Sequence, residues 1–189
     1  MNNVIAKGYA QKVSDDHLET ESGKVWYLPH HGIYHGRKPW KIRFVFDCSE
    51  RYQGTSFNEL LIQGPDLTNS LTGVHTRFRQ DPIAFMADIE AKFHQVRVPF
   101  EQCDFLKSLW WPDGNLNAPL QEYQLLVHLF GAGSSSSCSN FTLRKTADDA
   151  EMEHGPLIAE TIRRHFCVDN YLMSANDDKT AVELVQGVR

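Results

Sequence analysis

The 189-residue sequence is poor in cysteine and has no run of apolar residues long enough to cross a bilayer. Its four cysteines form no C-x-x-C pair, which argues against a zinc ribbon or a redox motif and indicates free thiols; they are Cys48, Cys103, Cys138 and Cys167. The amino terminus carries polar Asn2 and Asn3 and lacks the apolar run of a secretory signal. We therefore expect an intracellular, cytoplasmic chain with no membrane partner.

The sequence also lacks an excess of basic residues. Its 19 Lys and Arg against 24 Asp and Glu give a net charge of -5, which excludes binding to nucleic acid by bulk attraction. Any such binding would need a locally basic groove or a part that is missing from this sequence. The composition, with 41% hydrophobic and 23% charged residues, is that of an ordinary globular protein, and the length predicts one domain that can have two lobes.

Three of the nine histidines, His30, His31 and His35, lie close together. No Cys or His partner at metal-ligand spacing follows them. A histidine-based metal module is therefore kept only as an alternative.

The amino-terminal third combines helical and strand-like patterns. Residues 1–13 are consistent with one short helix, and the polar residues 14–24 with a loop. Residues 25–28 and 41–47 predict an antiparallel hairpin whose long tip carries Arg37 and Lys38.

An apolar row at helical spacing follows Asp66 and is closed by Pro82; it consists of Leu67, Leu71, Val74 and Phe78. This row predicts a helix with Asp66 as its N-cap.

Two apolar segments end in acidic residues. Residues 83–87 are apolar and predict a buried strand that ends at Asp88. Residues 166–173 have apolar flanks around Asp169 and Asn170, which predicts a tight hairpin. Asp and Asn tolerate the positive φ angles that such a bend requires.

The remaining patterns alternate between helix and strand. The predicted elements are a short helix at 100–109, a Pro-Asp-Gly turn at 112–114, a strand at 123–129, a helix from about Cys138 to Glu153, a helix with Ile158, Ile162 and His165 on one face, and a last helix from about Asp177. This mixed order favours an α+β layered fold, and no internal repeat is visible.

Asp88 and Asp169 are the strongest candidates for chemistry because each follows an apolar segment that would place it at a solvent-facing edge of a sheet. A carboxylate at the end of an apolar strand is costly unless it is compensated, and divalent cations compensate it well. Mg²⁺ prefers oxygen ligands and needs only one or two carboxylates; the backbone carbonyl of Ile89 is a natural additional ligand. The alternative is that each Asp caps a helix or closes a turn.

Five segments, taken in order, resemble the reverse transcriptases of BEL/Pao retrotransposons: residues 23–31, 42–47, 63–71, 86–97 and 130–134. The resemblance covers nearly the whole sequence. It implies an α+β right-hand polymerase with an antiparallel palm sheet packed on helices and with no thumb. The implied fingers segments are about 1–82 and 98–124, and the implied palm segments are about 83–97 and 125–189.

The same resemblance assigns Asp88 and Asp169 to the metal-binding aspartates of the family, which hold two Mg²⁺ ions, or Mn²⁺ in their place. Asn170 stands where the family normally has a further Asp. A neutral amide supplies no charge to offset the metal pair and the triphosphate, so impaired activity is expected.

Two further residues acquire nucleotide-binding roles from the resemblance. Phe93 takes the place of the aromatic gate that clashes with the 2′-hydroxyl of ribonucleotides; without the resemblance it would be an ordinary core aromatic. Arg43 is similar to the fingers arginine that grips the triphosphate, and its alternative is a surface salt bridge to Asp47.

Weaker assignments complete the implied site. Lys38 or Arg37 would add a phosphate contact from the hairpin tip. Gly131 would permit close backbone approach beneath the nascent base pair, although a glycine in a loop is also common. Ser136 stands where the family commonly has proline, which puts the local loop geometry in doubt.

The resemblance implies an RNA-directed DNA polymerase that transfers nucleotides from dNTPs to a primer 3′ end. Its partners would be a primer-template of RNA or DNA, and the thumb and RNase H regions of a polyprotein, whose absence would explain the acidic charge. It would act in the cytoplasm, including virus-like particles. The alternative is an inactive remnant of a retroelement that serves as an interaction or structural protein.

Overall fold

The computed structural model describes residues 1–14 and 23–189, which divide into two compact units. Unit 1 contains Met1–Gln63 and Phe93–Ser135, and unit 2 contains Gly64–Lys92 and Ser136–Arg189. The loop predicted over residues 14–24 falls mostly on residues 15–22, outside the described residues. The fingers and palm boundaries stay predictions.

The secondary-structure elements follow one another in mixed order. The strands are β1 (Ala10–Lys12), β2 (His30–His35), β3 (Lys38–Phe46), β4 (Arg51–Tyr52), β5 (Thr55–Ser56), β6 (Ile83–Asp88), β7 (Lys107–Trp110), β8 (Gln121–Leu125), β9 (Phe166–Cys167) and β10 (Asn170–Ala175). The α-helices are α1 (Asn2–Ala6), α2 (Phe57–Leu60), α3 (Leu71–Phe78), α4 (Ser135–His154), α5 (Pro156–His165) and α6 (Asp178–Val188). Short 3₁₀ helices lie at Lys92–Gln95, Phe100–Leu106 and Pro112–Gly114. The prediction of a mixed α and β fold is confirmed.

Unit 1 is built on the antiparallel sheet β1-β8-β7, in which Ala10 lies opposite Leu125. The prediction of a single helix over residues 1–13 is wrong, because α1 ends at Ala6 and the chain continues as β1. Gly8 takes a φ of +69°, a left-handed conformation that interrupts a helix. Ala10 is then buried in the core of the unit.

The predicted hairpin exists, but its first strand was placed too early. Strands β2 and β3 pair antiparallel with His30 opposite Phe46, and only two residues separate them, so the tip is short. The backbone of residues 25–28 bonds elsewhere: Leu28 N–H donates to the carbonyl of Lys107, whose own N–H donates to Trp26. Leu28 is buried in the core and Trp26 packs against it, which explains why this segment leaves the hairpin.

Unit 2 contains the antiparallel sheet β6-β10-β9, with Ile83 opposite Ala175 at one end. Helices α3, α5 and α6 contact β10. The strand predicted at residues 83–87 is confirmed, but its full burial is wrong: Phe85 packs on a core cluster, whereas Met86 on the other face is 66% exposed. Strand β6 therefore has one partly buried face and one exposed face, whereas the central strand β10 is largely buried.

Capping explains the helix boundaries in unit 2. Asp66 was predicted to cap α3, but its Oδ1 accepts from the Thr68 N–H at 2.9 Å and closes a local turn. Ser70 is the actual N-cap, and its hydroxyl accepts from the Gly73 N–H. The start predicted at Asp177 is confirmed, since its Oδ1 accepts from the Thr180 N–H at 2.8 Å.

None of the helices in residues 1–14 and 23–189 combines the length and the apolar character needed to span a bilayer.

Candidate functional site

The register of β6 and β10 brings the predicted acidic residues to one end of the unit 2 sheet. Asp88, the last residue of β6, lies opposite Asn170, the first residue of β10. Asp169 precedes Asn170 in the bend, and its backbone carbonyl accepts from the Ile89 N–H at 3.0 Å. Residues far apart in the sequence are therefore held side by side by backbone hydrogen bonds.

The side chains at this end of the sheet are accessible to solvent. Asp88 and Asn170 are exposed, and Asp169 is half-buried. Asn170 Nδ2 donates to Asp169 Oδ1 at 2.9 Å. The amide thus takes up one lone pair of a carboxylate that a cation would otherwise use.

The side chains at this end of the sheet offer the kind of atom that binds a magnesium ion, but too few of them to complete its coordination. Asp88, Asp169 and the Asn170 amide offer oxygen atoms, which Mg²⁺ prefers, and this ion keeps several waters or phosphate oxygens among its ligands. Within the described residues, no group of three or more His, Cys, Asp or Glu side chains could hold a metal. The two carboxylates therefore fit Mg²⁺ as part of a ligand set that water and substrate complete. The roles predicted for them and for the carbonyl of Ile89 stay predictions.

The bend between β9 and β10 differs from the prediction. Asp169 and Asn170 were expected to take the positive φ angle, but Val168 takes it, at +57°. A β-branched residue is an outlier in this region because its Cβ substituents crowd the backbone. The polar residues are instead positioned to pair with each other and with β6.

Lys92 lies beneath this bend and was not identified from the sequence. The residue is 6% exposed, and its Nζ donates to Asn140 Oδ1 and to the Val168 carbonyl, both at 2.6 Å. Burial lowers the pKa of the Lys92 ammonium, while Asp169 and Cys167 favour its charged form. A cation of the protein itself is thus placed beside the predicted metal ligands.

Phe93 and Gly131, predicted to contact the nucleotide, both lie in unit 1. The Phe93 ring packs edge-on against Phe130, with 5.6 Å between the ring centroids. Gly131 has a φ of +100°, a conformation that favours glycine. Their nucleotide-binding roles stay predictions.

Asn58, which the sequence did not single out, fixes the loop that contains Gly131. Its Nδ2 donates to the Gly131 carbonyl at 3.0 Å, and its Oδ1 accepts from the Gly133 N–H at 2.8 Å. One side chain of α2 therefore supplies both a donor and an acceptor to a loop distant in the sequence.

The hairpin of unit 1 presents Arg43 on an exposed strand position opposite Ile33. Over the part of the chain that the structure describes, no ion pair joins Arg43 to Asp47, and Asp47 Oδ1 accepts from the backbone N–H groups of Ser49 and Glu50. The surface salt bridge considered as an alternative is thus not formed. Lys38 is the first residue of β3, but its side chain lies outside the described part of the chain. Its predicted phosphate contact therefore stays a prediction.

The histidine cluster is divided between different environments. His30 is half-buried, its Nδ1 lies 2.6 Å from Ser108 Oγ, and its ring packs 4.6 Å from that of Phe44. His31, the next residue, is exposed. The side chain of His35 lies outside the described residues.

A cavity of about 880 Å³ lies in unit 1, and its wall includes the aromatic residues Trp26, Tyr52, Phe57 and Phe105. None of the residues predicted for the site lines it. The acidic edge of the unit 2 sheet, rather than this cavity, carries the predicted chemistry.

No protein-family model and no curated protein sequence matches this chain. Its structure has a reverse-transcriptase-like fold. One similar solved structure is that of the foamy viral protease-reverse transcriptase dRH in complex with double-stranded DNA, with a TM-score of 0.64 and 13% sequence identity over 98% of this chain. At this identity the likeness establishes the fold alone, and the chain spans 26% of the length of that viral chain. Membership of the BEL/Pao group stays a prediction.

Proposed function

We propose that this chain is the fingers and palm portion of an RNA-directed DNA polymerase of the BEL/Pao type. The observation that carries the proposal is the register of β6 and β10, which sets Asp88 opposite Asn170 and beside Asp169. The reverse-transcriptase-like fold supports this interpretation, as do the ordered sequence segments that resemble the family.

In the proposed site, Asp88 and Asp169 would hold two Mg²⁺ ions with help from the Ile89 carbonyl. When bound, such ions supply the charge that activates an attacking hydroxyl and stabilises a leaving pyrophosphate. The contribution of the chain would be to keep the two carboxylates at one end of a hydrogen-bonded sheet. Asn170 adds an oxygen donor without adding charge.

Other residues would bind and select the nucleotide. Arg43 has the planar fork of donors that matches phosphate oxygens, and its exposed position on β3 leaves it available to a ligand. Phe93 would exclude a ribose 2′-hydroxyl by its bulk. The Phe130 contact supports that function because it restricts the ring of Phe93.

The proposed partners are a primer-template and a dNTP. The chain has a net charge of -5 and matches only 26% of the viral chain, so we propose that thumb and RNase H regions of a longer polyprotein complete a basic cleft. Activity of the 189 residues alone is expected to be weak.

A second proposal is that the chain is an inactive remnant that retains the fold. It is favoured by Asn170, which gives the site one negative charge fewer than an aspartate would. The Asn170 amide also engages Asp169 Oδ1 in a 2.9 Å hydrogen bond.

Single-nucleotide incorporation would distinguish the two proposals. The chain would be joined to the thumb of a solved reverse transcriptase and tested as wild type, as Asn170→Asp, and as Asn170→Asp with Asp88→Asn. Incorporation that rises in the second protein and disappears in the third supports the polymerase. No incorporation by the second protein, when it is folded and binds primer-template, favours the remnant.

A further inference from the structure

The buried Lys92 ammonium has no role in the proposed reaction, yet it links three segments of unit 2. Its Nζ bonds to Asn140 on α4 and to the Val168 carbonyl in the hairpin bend. A buried charge without partners would be strongly unfavourable, so the lysine needs both of these acceptors.

Asn140 is held in the orientation that serves Lys92. It is 9% exposed, and its Nδ2 donates to Thr68 Oγ1 at 3.1 Å. With the amide nitrogen occupied in this way, the amide oxygen is the atom that faces the ammonium. Asn140 therefore fixes the Lys92 ammonium to α4, while the second hydrogen bond of the ammonium goes to the bend.

Val168 is the residue in the bend that most needs support. Its φ of +57° is unfavourable for a β-branched side chain, and the Lys92 hydrogen bond is made to the carbonyl of this same residue. A hydrogen bond from a charged donor is stronger than one between neutral groups. The unfavourable conformation is thus compensated by the strongest type of donor that a side chain offers.

We propose that Lys92 is a positioning residue that pins the Val168 carbonyl and so keeps Asp169 beside Asp88. Its relevance to catalysis rests on the proposed function, because that function makes Asp169 a metal ligand. The geometric part of the proposal does not depend on catalysis. The bend directly precedes Asp169, whose carbonyl accepts from Ile89 at the end of β6. Loss of the lysine contact would release the bend and loosen this link.

The test compares wild type with Lys92→Met, which keeps an unbranched apolar side chain but removes the donors, and with Lys92→Met combined with Val168→Asn. Asparagine tolerates positive φ angles, so the bend needs less support once it replaces the valine. Val168→Asn alone is the matched control. The readout is amide hydrogen exchange of Ile89 in the metal-free chain, measured by NMR.

We expect Ile89 exchange to be at least about tenfold faster in Lys92→Met, the size expected for losing a hydrogen bond from a charged donor. The double variant should return toward the wild-type rate. The Ala181 N–H, which donates to the Asp177 carbonyl in α6, serves as a reference within unit 2. An unchanged Ile89 rate, an equal acceleration of Ala181, or no rescue by Val168→Asn would overturn the proposal.

A separate measurement of Mn²⁺ binding by electron paramagnetic resonance tests the consequence for the metal site. If wild type binds Mn²⁺ in a manner abolished by Asp169→Asn, Lys92→Met should bind it about tenfold more weakly, and the double variant should recover. Unchanged or tighter binding by Lys92→Met would overturn the positioning of Asp169. Failure of wild type to bind Mn²⁺ would count against the proposed function, while the exchange data would still decide the role of Lys92.

Discussion

Asn170 donates a 2.9 Å hydrogen bond from Nδ2 to Asp169 Oδ1, and the same residue lies directly across the sheet from Asp88. Asn170 therefore bonds to one carboxylate, lies opposite the residue that carries the other, and neutralises neither. Asn170 adds no charge to this acidic edge, and its hydrogen bond satisfies one oxygen of Asp169. A carboxylate introduced at position 170 should therefore have opposite consequences for the metal-free protein and for the metal-bound protein.

Asn170→Asp should destabilise the metal-free chain by about 1–3 kcal/mol, because a donor is lost and a like charge takes its place. Mn²⁺ should reverse this loss and raise the melting temperature of the variant more than that of wild type. Thermal unfolding with and without Mn²⁺ measures both effects. Asn170→Ser is the control, since it removes the amide without adding charge. An equal response to Mn²⁺ in all three proteins would contradict the prediction.

Tyr171→Phe should stabilise the chain by about 1 kcal/mol. Tyr171 is 1% exposed, and among the described residues its hydroxyl is a buried group without a hydrogen-bond partner. Its ring packs on Phe85 and Phe166, contacts that phenylalanine would keep. Removal of the hydroxyl therefore removes a desolvation penalty at no loss of packing.

Chemical denaturation would measure the effect of Tyr171→Phe, with Tyr123→Phe as the matched control because the Tyr123 hydroxyl lies 3.5 Å from Gln121 Oε1. A destabilised Tyr171→Phe would show that this hydroxyl is satisfied in solution.

The elements that were predicted well are those whose determinants are local in sequence. Strand β6 has an unbroken apolar run up to Asp88, and α6 has the capping residue Asp177 directly before it. Alternation and capping act over a few residues, so a single sequence displays them. The predicted convergence of Asp88 and Asp169 rested on the same kind of local pattern, a strand that ends at Asp88 and a hairpin bend that contains Asp169.

The features that were missed depend on partners distant in the chain. Lys92 would ordinarily be assigned to the surface, and only the fold brings it to Asn140 and to Val168. Residues 25–28 have a strand-like pattern, but their backbone partner is Lys107 rather than the neighbouring strand. No local pattern specifies which of several apolar segments will supply the hydrogen bonds.

Asn58→Ala should loosen the loop at residues 131–133 and cost about 1–2 kcal/mol, because the Gly131 carbonyl and the Gly133 N–H lose their partner together. Amide exchange of Gly133 should accelerate, while exchange of Leu126, which donates to the Tyr9 carbonyl, should not. Asn58→Asp is an informative companion because it keeps an acceptor for Gly133 and removes the donor to Gly131. Equal exchange rates in all three proteins would show that the conformation of the loop does not depend on Asn58.

Acid should destabilise the chain in part through His30. Burial lowers the pKa of His30 below its ordinary value of 6.5, so the folded state favours the neutral ring. The unfolded chain takes up a proton as the pH falls through 6.5, whereas the folded chain does so only at lower pH. The stability that the neutral ring contributes is therefore present above this pH and is lost below it.

His30→Gln should reduce the fall in melting temperature between about pH 7 and pH 5. His75→Gln, at an exposed position on α3, is the control. The same pH slope in His30→Gln and in wild type would show that the ring is protonated as easily in the folded chain as in the unfolded one.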